Sequence, residues 1–179
     1  MANWIVRKGT PADATEIANL VNRAYRGQGD DRGQGDDDDP PGQTYQGWTN
    51  EIGLVEGPRT SAAEILHHMR EGTFLCATET EAGPLQGSVW LEPRQGEWYI
   101  GMLSVSPSLQ NAGLGRLLMR HCEALAREAG IPRLTLTVLS PRTELQAWYE
   151  RQGYQRTGET LPFPHGGPHQ LFIFRKNAP

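Results

Sequence analysis

Cysteine is nearly absent: the 179 residues contain two, Cys76 and Cys122, far apart and each in an apolar context. Such a pair reads as buried free thiols in a reducing compartment, not as a disulfide framework. Long apolar runs are missing too. None approaches the roughly 18 residues needed to cross a bilayer, and the opening "MANWIVRKGT" lacks the apolar core of a secretory signal. No membrane partner is expected, and the cytoplasm is the default location. Positive charge is in deficit, with 17 Lys and Arg against 21 Asp and Glu for a net charge of −4. That balance supplies no basic footprint for nucleic acid. Among five histidines the one adjacent pair, His67 and His68, would face different directions on a helix, so no metal site is expected.

What remains is the composition of an ordinary folded domain, 37% hydrophobic and 21% charged. The length suits one domain spanning residues 1–179, large enough to bury a core without staples. Much of the negative excess sits in "GQGDDRGQGDDDDPPGQ", residues 27–43. With no large apolar residue, this stretch cannot bury enough surface to offset its ordering entropy, and it reads as a solvated, flexible insertion. The alternating carboxylates, central glycine and terminal glutamate of a calcium loop are missing from it.

Along the chain, "WIVRKG" alternates like a first strand. Thr10 and Pro11 then mark a helix start that carries Ile17, Leu20, Val21 and Ala24 at helical spacing. Ser61 and Glu64 form a capping box for a second helix with Ile65, Leu66 and Met69, stopped by Gly72. "TFLCATE", "LQGSVWLEP" and "EWYIGMLSV" follow as strands joined by short turns, an antiparallel meander. A helix over about residues 113–129 presents Leu114, Leu117, Leu118, Cys122 and Leu125 on one face. "RLTLTVL" is a further strand, Ser140 and Pro141 cap and open a helix closed by Gly153, and "YQRTGE" and "HQLFIFRK" end the chain as strands. The order β-α-α-β-β-β-α-β-α-β-β describes a mixed α/β domain with a crossover in its middle.

One junction carries chemistry. In "VSPSLQNAGLGRLLM" a strand runs into a proline, a Gly-x-Gly and an amphipathic helix, a ready place to hold phosphate. A nucleoside-triphosphate loop would need a Lys-Ser or Lys-Thr after its glycine, which is missing. A dinucleotide fingerprint would need a third glycine, where Leu118 stands, in a first βαβ unit.

A third reading uses more of the sequence. Gln110, Gly113 and Gly115 match the Gln/Arg-x-x-Gly-x-Gly/Ala signature, and "LQAWYERQGY" stands a strand and a helix later. Together these resemble the acyl-CoA loop and the aromatic helix end of the GNAT superfamily of N-acetyltransferases. The resemblance implies the GNAT fold and an enzyme moving acetyl from acetyl-CoA to an amine of a small molecule or peptide by direct attack. A catalytically silent acyl-CoA sensor of the same fold is the alternative.

The resemblance also distributes roles. The backbone of Leu103, Ser104 and Val105 would bond the pantetheine arm like an added strand. Gln110, Asn111, Ala112, Gly113, Leu114, Gly115 and Arg116 would cradle the pyrophosphate, the glycines permitting positive φ and close approach. Arg142 stands where the family often has asparagine and would reach the cofactor. Tyr149 would face the departing sulfur as general acid. Glu97, Glu51, His165 and His169 are the candidate bases, with a water chain to an already neutral amine equally open, and Trp48 and His165 are the candidate acceptor contacts. The acidic insertion borders the acceptor side in this fold and is expected to attract a cationic amine. Dimerisation is common in the family, so a homodimer is compatible with the resemblance.

Overall fold

The computed structural model describes residues 3–26, 57–164 and 166–178. The acidic stretch 27–43 and the candidate residues Trp48, Glu51 and His165 lie outside the described residues.

Among the described residues seven strands form one sheet: β1 (Ile5–Lys8), β2 (Thr73–Thr78), β3 (Gly87–Arg94), β4 (Glu97–Val105), β5 (Arg133–Leu139), β6 (Gln155–Pro162) and β7 (Gln170–Asn177). Their spatial order is β1-β2-β3-β4-β5-β7-β6, antiparallel throughout except for the parallel pair β4–β5. Among the described residues four α-helices cover the sheet: α1 (Ala14–Arg26), α2 (Ala62–Glu71), α3 (Leu114–Glu128) and α4 (Thr143–Arg151). The parallel pair exists because α3 carries the chain back across the sheet between β4 and β5, the crossover such a pair requires.

The period of two along a strand divides the core. On β2, Phe74 and Cys76 pack with Ile17, Leu20, Val21 and Ile65 under α1 and α2. Leu75 and Ala77 pack on the opposite face with Leu114, Leu118 and Cys122 of α3. Each buried Leu, Ile, Val or Phe among these contributes about 1.5–3 kcal/mol. Both cysteines are free and buried, and desolvation pushes the Cys76 thiol up to about 12. Among the described residues no helix is long and apolar enough to cross a membrane.

The local start signals operate with two corrections. Ser61 and Glu64 do form the capping box of α2, Glu64 N donating to Ser61 Oγ at 3.2 Å and Ser61 N to Glu64 Oε2 at 2.9 Å. At the first helix, Thr10 and Pro11 instead initiate a 3-10 turn, Pro11–Asp13, which runs into α1. There Asp13 is the hub: its carboxylate accepts the Thr10 amide at 2.7 Å and both guanidinium nitrogens of Arg7, at 2.7 and 2.9 Å. The fourth helix begins at Thr143, not at Pro141, because Ser140 is still tied to β7: its amide donates to the Gln170 carbonyl at 2.8 Å.

One irregularity shapes the centre of the sheet. Ser88 opposes Ser104 while Trp90 opposes Gly101, so β4 spends one extra residue against β3. Met102 takes up the excess with φ +49°, a left-handed backbone rare for a side chain of its size. A bulge bends its strand and strengthens the local twist. On its other edge β4 pairs with β5 only through Trp98–Leu134 and Tyr99–Thr135. Beyond Tyr99 the two strands part.

Candidate active site

Two cavities open where the strands separate. The first, about 260 Å³, lies between the end of β4, the loop into α3, and α4. Leu103 and Val105 line it from β4, Gln110, Asn111 and Gly113 from the loop, and Trp148 and Tyr149 from α4. The second, about 230 Å³, lies on the other side, between residues 99–103 of β4 and 137–139 of β5. Tyr25, Leu103, Leu145 and Tyr149 line both.

The loop geometry explains its glycine. Asn111 at φ +70° and Gly113 at φ +86° adopt left-handed backbone, and Gly113 caps α3. The first amides of that 15-residue helix have no intrahelical acceptor and carry the positive end of its dipole. Arg116 and Arg151, both exposed, stand on the rim of the same cavity. Orphan amides, a dipole end and two guanidinium groups suit an anion carrying more than one charge, and the apolar wall of Leu103, Val105 and Trp148 suits an uncharged arm beside it. A Cβ added to Gly113 would meet nothing within 4 Å, so the turn stands open to a ligand. Gly115 departs from expectation: it lies inside α3 without positive φ, and an added Cβ would point at Trp148 and Val105, at 3.6 and 3.7 Å.

Tyr149 is set by its helix. Leu145, Trp148 and Tyr149 share one face of α4, and Gly153 at φ +90° ends the helix so that Tyr154 N bonds back to the Tyr149 carbonyl at 3.1 Å. The Tyr149 ring packs edge-on against Trp148 and Tyr154 and is 6% exposed. Burial pushes its hydroxyl well above the ordinary tyrosine value, with Tyr25 and Tyr99 adding to the rise and Arg142 opposing it. At any physiological pH the group is a neutral hydrogen-bond donor.

The remaining sequence candidates distribute unevenly. Gln110 Nε2 makes a long 3.4 Å bond to the Val105 carbonyl. Ser104 is buried on the far side of its strand and donates to the Met102 carbonyl at 3.0 Å, Leu114 is fully buried in the core, and Ala112 is exposed; none of the three lines a cavity. Arg142, 8% exposed, lines the second cavity and not the first. Glu97 lines neither: it accepts from Thr135 Oγ1 at 2.8 Å and pairs with Arg175 at 3.4 Å, at the end of β4 remote from the loop. Neither cavity is lined by an Asp, Glu or His among the described residues. Trp148 and Arg151 were reachable from the helical spacing around Tyr149. Tyr25, at the C-terminal end of α1, and Arg59, in an irregular segment, carry no local signal of their role.

The family model for the acetyltransferase (GNAT) family matches residues 43–154, more than half of the chain. The amino-acid acetyltransferase of Ralstonia nicotianae is 38% identical over 71 residues, which cover 39% of this chain and 15% of that protein's length. The ribosomal-protein-S18-alanine N-acetyltransferase of Escherichia coli superposes with a TM-score of 0.70 at 15% identity, covering 98% of this chain and 94% of its own. The yncA protein of Salmonella typhimurium, solved with its cofactor acetyl-CoA, gives 0.66 at 17% identity over 99% and 95%. At those identities the structural likeness establishes the fold, and the match over the loop and both strands beside it establishes the lineage: the chain belongs to the GNAT family of acetyltransferases.

Proposed function

We propose that this acyltransferase moves acetyl from acetyl-CoA to an amine by direct attack, with Tyr149 protonating or hydrogen-bonding the sulfur that leaves. The carrying observation is that one neutral, buried hydroxyl borders both cavities. The first cavity takes the cofactor. Its pyrophosphate meets the α3 N-terminus with Arg116 and Arg151 at the rim, and its pantetheine arm runs along Leu103 and Val105. The second cavity takes the acceptor.

The amine nitrogen attacks the thioester carbonyl, a C–N bond forms, the C–S bond breaks, and the nitrogen gives up a proton. Tyr149 stabilises the thiolate as it develops. The thiolate of a thiol with pKa near 8.5 is a weaker base than tyrosinate, so hydrogen-bond donation carries more of the effect than complete proton transfer. The proton passes to water, or to Glu51 or His165, candidate bases outside the described residues. The two buried free thiols support a reducing compartment.

Release of free CoA thiol across an amine panel, with Tyr149→Phe alongside, tests the reading. Turnover that collapses in the variant is the expected result. Calorimetry detecting no acetyl-CoA binding would remove it.

A further inference from the structure

The C-terminal end of α4 is tied to the last strand through a closed loop of contacts. Lys176 of β7 donates from Nζ to the Gln152 carbonyl at 2.8 Å and to Glu123 Oε1 of α3 at 2.9 Å. The Tyr154 hydroxyl donates to the same Glu123 oxygen at 3.4 Å, and the Lys176 ammonium lies 5.5 Å from the centroid of the Tyr154 ring. The remaining links end on Tyr149. Its carbonyl accepts the Gln152 and Tyr154 amides at 2.9 and 3.1 Å, and its ring meets the Tyr154 ring edge-on with centroids 5.9 Å apart. The lysine stem runs over Gly153, where an added Cβ would stand 3.3 Å from Cε. Gln152 caps the helix, so its carbonyl lies at the negative end of the dipole and has no intrahelical donor; an ammonium is favoured there. The Lys176 and Glu123 side chains are only 23% and 15% exposed, so salt screens this pair less than one on an open surface. None of Glu123, Gln152, Tyr154 and Lys176 lines either cavity.

We propose that Lys176 is a positioning residue for Tyr149, holding the last turn of α4 so that the Tyr149 hydroxyl stays where the two cavities meet. The inference rests on the reading of Tyr149 as the group facing the leaving sulfur, and adds to it a residue that touches neither substrate. Of the nine residues of α4 only Tyr149 is buried, so packing alone constrains this short helix weakly. Misplacing a reacting group by about 1 Å can cost about a hundredfold in rate. A hydrogen bond also weakens steeply once its angle falls below about 120°. The ammonium grips the helix end directly and, through Glu123, the ring packed against Tyr149. That double hold opposes both displacements.

The test places Lys176→Met and Lys176→Arg in the wild type and in Tyr149→Phe. CoA thiol release is followed with the amine turned over fastest in a panel of polyamines, amino acids and short peptides. In the wild type Lys176→Met should lower kcat about tenfold and leave the acetyl-CoA KM within about twofold. Lys176→Arg should recover most of the loss. In Tyr149→Phe the Lys176→Met change should lower kcat by less than about twofold, since the hydroxyl it positions is gone. Equal losses in the two backgrounds, a loss expressed in KM, or an unchanged kcat overturns the proposal while leaving acetyl transfer intact. Full kcat in Tyr149→Phe alone, or no thiol release with any amine, removes the Tyr149 reading and this inference with it. Should Lys176→Met fail to fold, Glu123→Gln loosens the same grip with little change of shape. A kcat lowered by it in the wild type but not in Tyr149→Phe supports the proposal, and any other pattern overturns it.

Discussion

The Tyr25 hydroxyl donates to the Leu103 carbonyl at 3.1 Å, tying α1 to β4 one residue past the bulge at Met102. This bond crosses the wall shared by both cavities. Tyr25→Phe should cost about 1 kcal/mol, or about 2–4 °C in melting temperature for a chain of this size. Thermal denaturation reads the first effect. A larger acetyl-CoA KM, from a β4 end held less firmly, reads the second.

Tyr149→Phe should lower kcat by about a hundredfold or more while the melting temperature holds. Phenylalanine keeps the edge-on packing of this ring against Trp148 and Tyr154, so the fold loses little. Because burial raises this hydroxyl, it keeps its proton below its folded pKa. The wild-type rate should therefore lack an alkaline decline below about pH 10. A stopped assay across pH with a single amine checks both points.

Gly113 and Gly115, at the start of α3, should separate on substitution. Gly113→Ala forces a side chain into φ +86° and should cost about 1 kcal/mol. Gly115→Ala meets only ordinary contacts at 3.6 and 3.7 Å in regular helix, so stability should hold or rise slightly. Its methyl would stand toward the first cavity, and the acetyl-CoA KM should increase. Paired melting curves and cofactor titrations distinguish backbone need from ligand room.

Acid should reveal the Arg7–Asp13 pair. The Arg7 guanidinium, with desolvation opposing and the Thr10 bonds assisting, holds the Asp13 carboxyl well below the usual carboxylate range. A depressed folded value contributes stability above the unfolded value near 4, and that contribution is lost as pH falls further. Wild type should exceed Asp13→Asn by roughly 2 kcal/mol at neutral pH, modest because 36% of the Arg7 side chain remains in water. The difference should shrink steadily below about pH 4, as followed by urea denaturation.

The element order was legible because periodicity and turn residues are local. "EWYIGMLSV" and "RLTLTVL" coincide with β4 and β5 residue for residue. The bulge was not legible, since Met102 is an ordinary strand residue until β3 and β4 are paired in register. Nor was the destination of Arg142: a sequence position beside a motif does not say which side of a parting sheet a side chain faces. Arg59 owes its place to Asn22, 37 residues earlier, a bond no periodicity announces. Glu97 illustrates the reverse case, a carboxylate on the right strand whose partners, Thr135 and Arg175, lie elsewhere.

The short β4–β5 pairing also divides the molecule along its own sequence. Strands β1 to β4 come from the chain before residue 106, and β5, β7 and β6 from the chain after residue 132. Two rungs of ladder sew the halves together, so this seam should be the first part of the sheet to open and its amides the first to exchange with solvent. A ligand lodged in the gap would act as a rivet, slowing exchange on both halves at once although it touches only their margins.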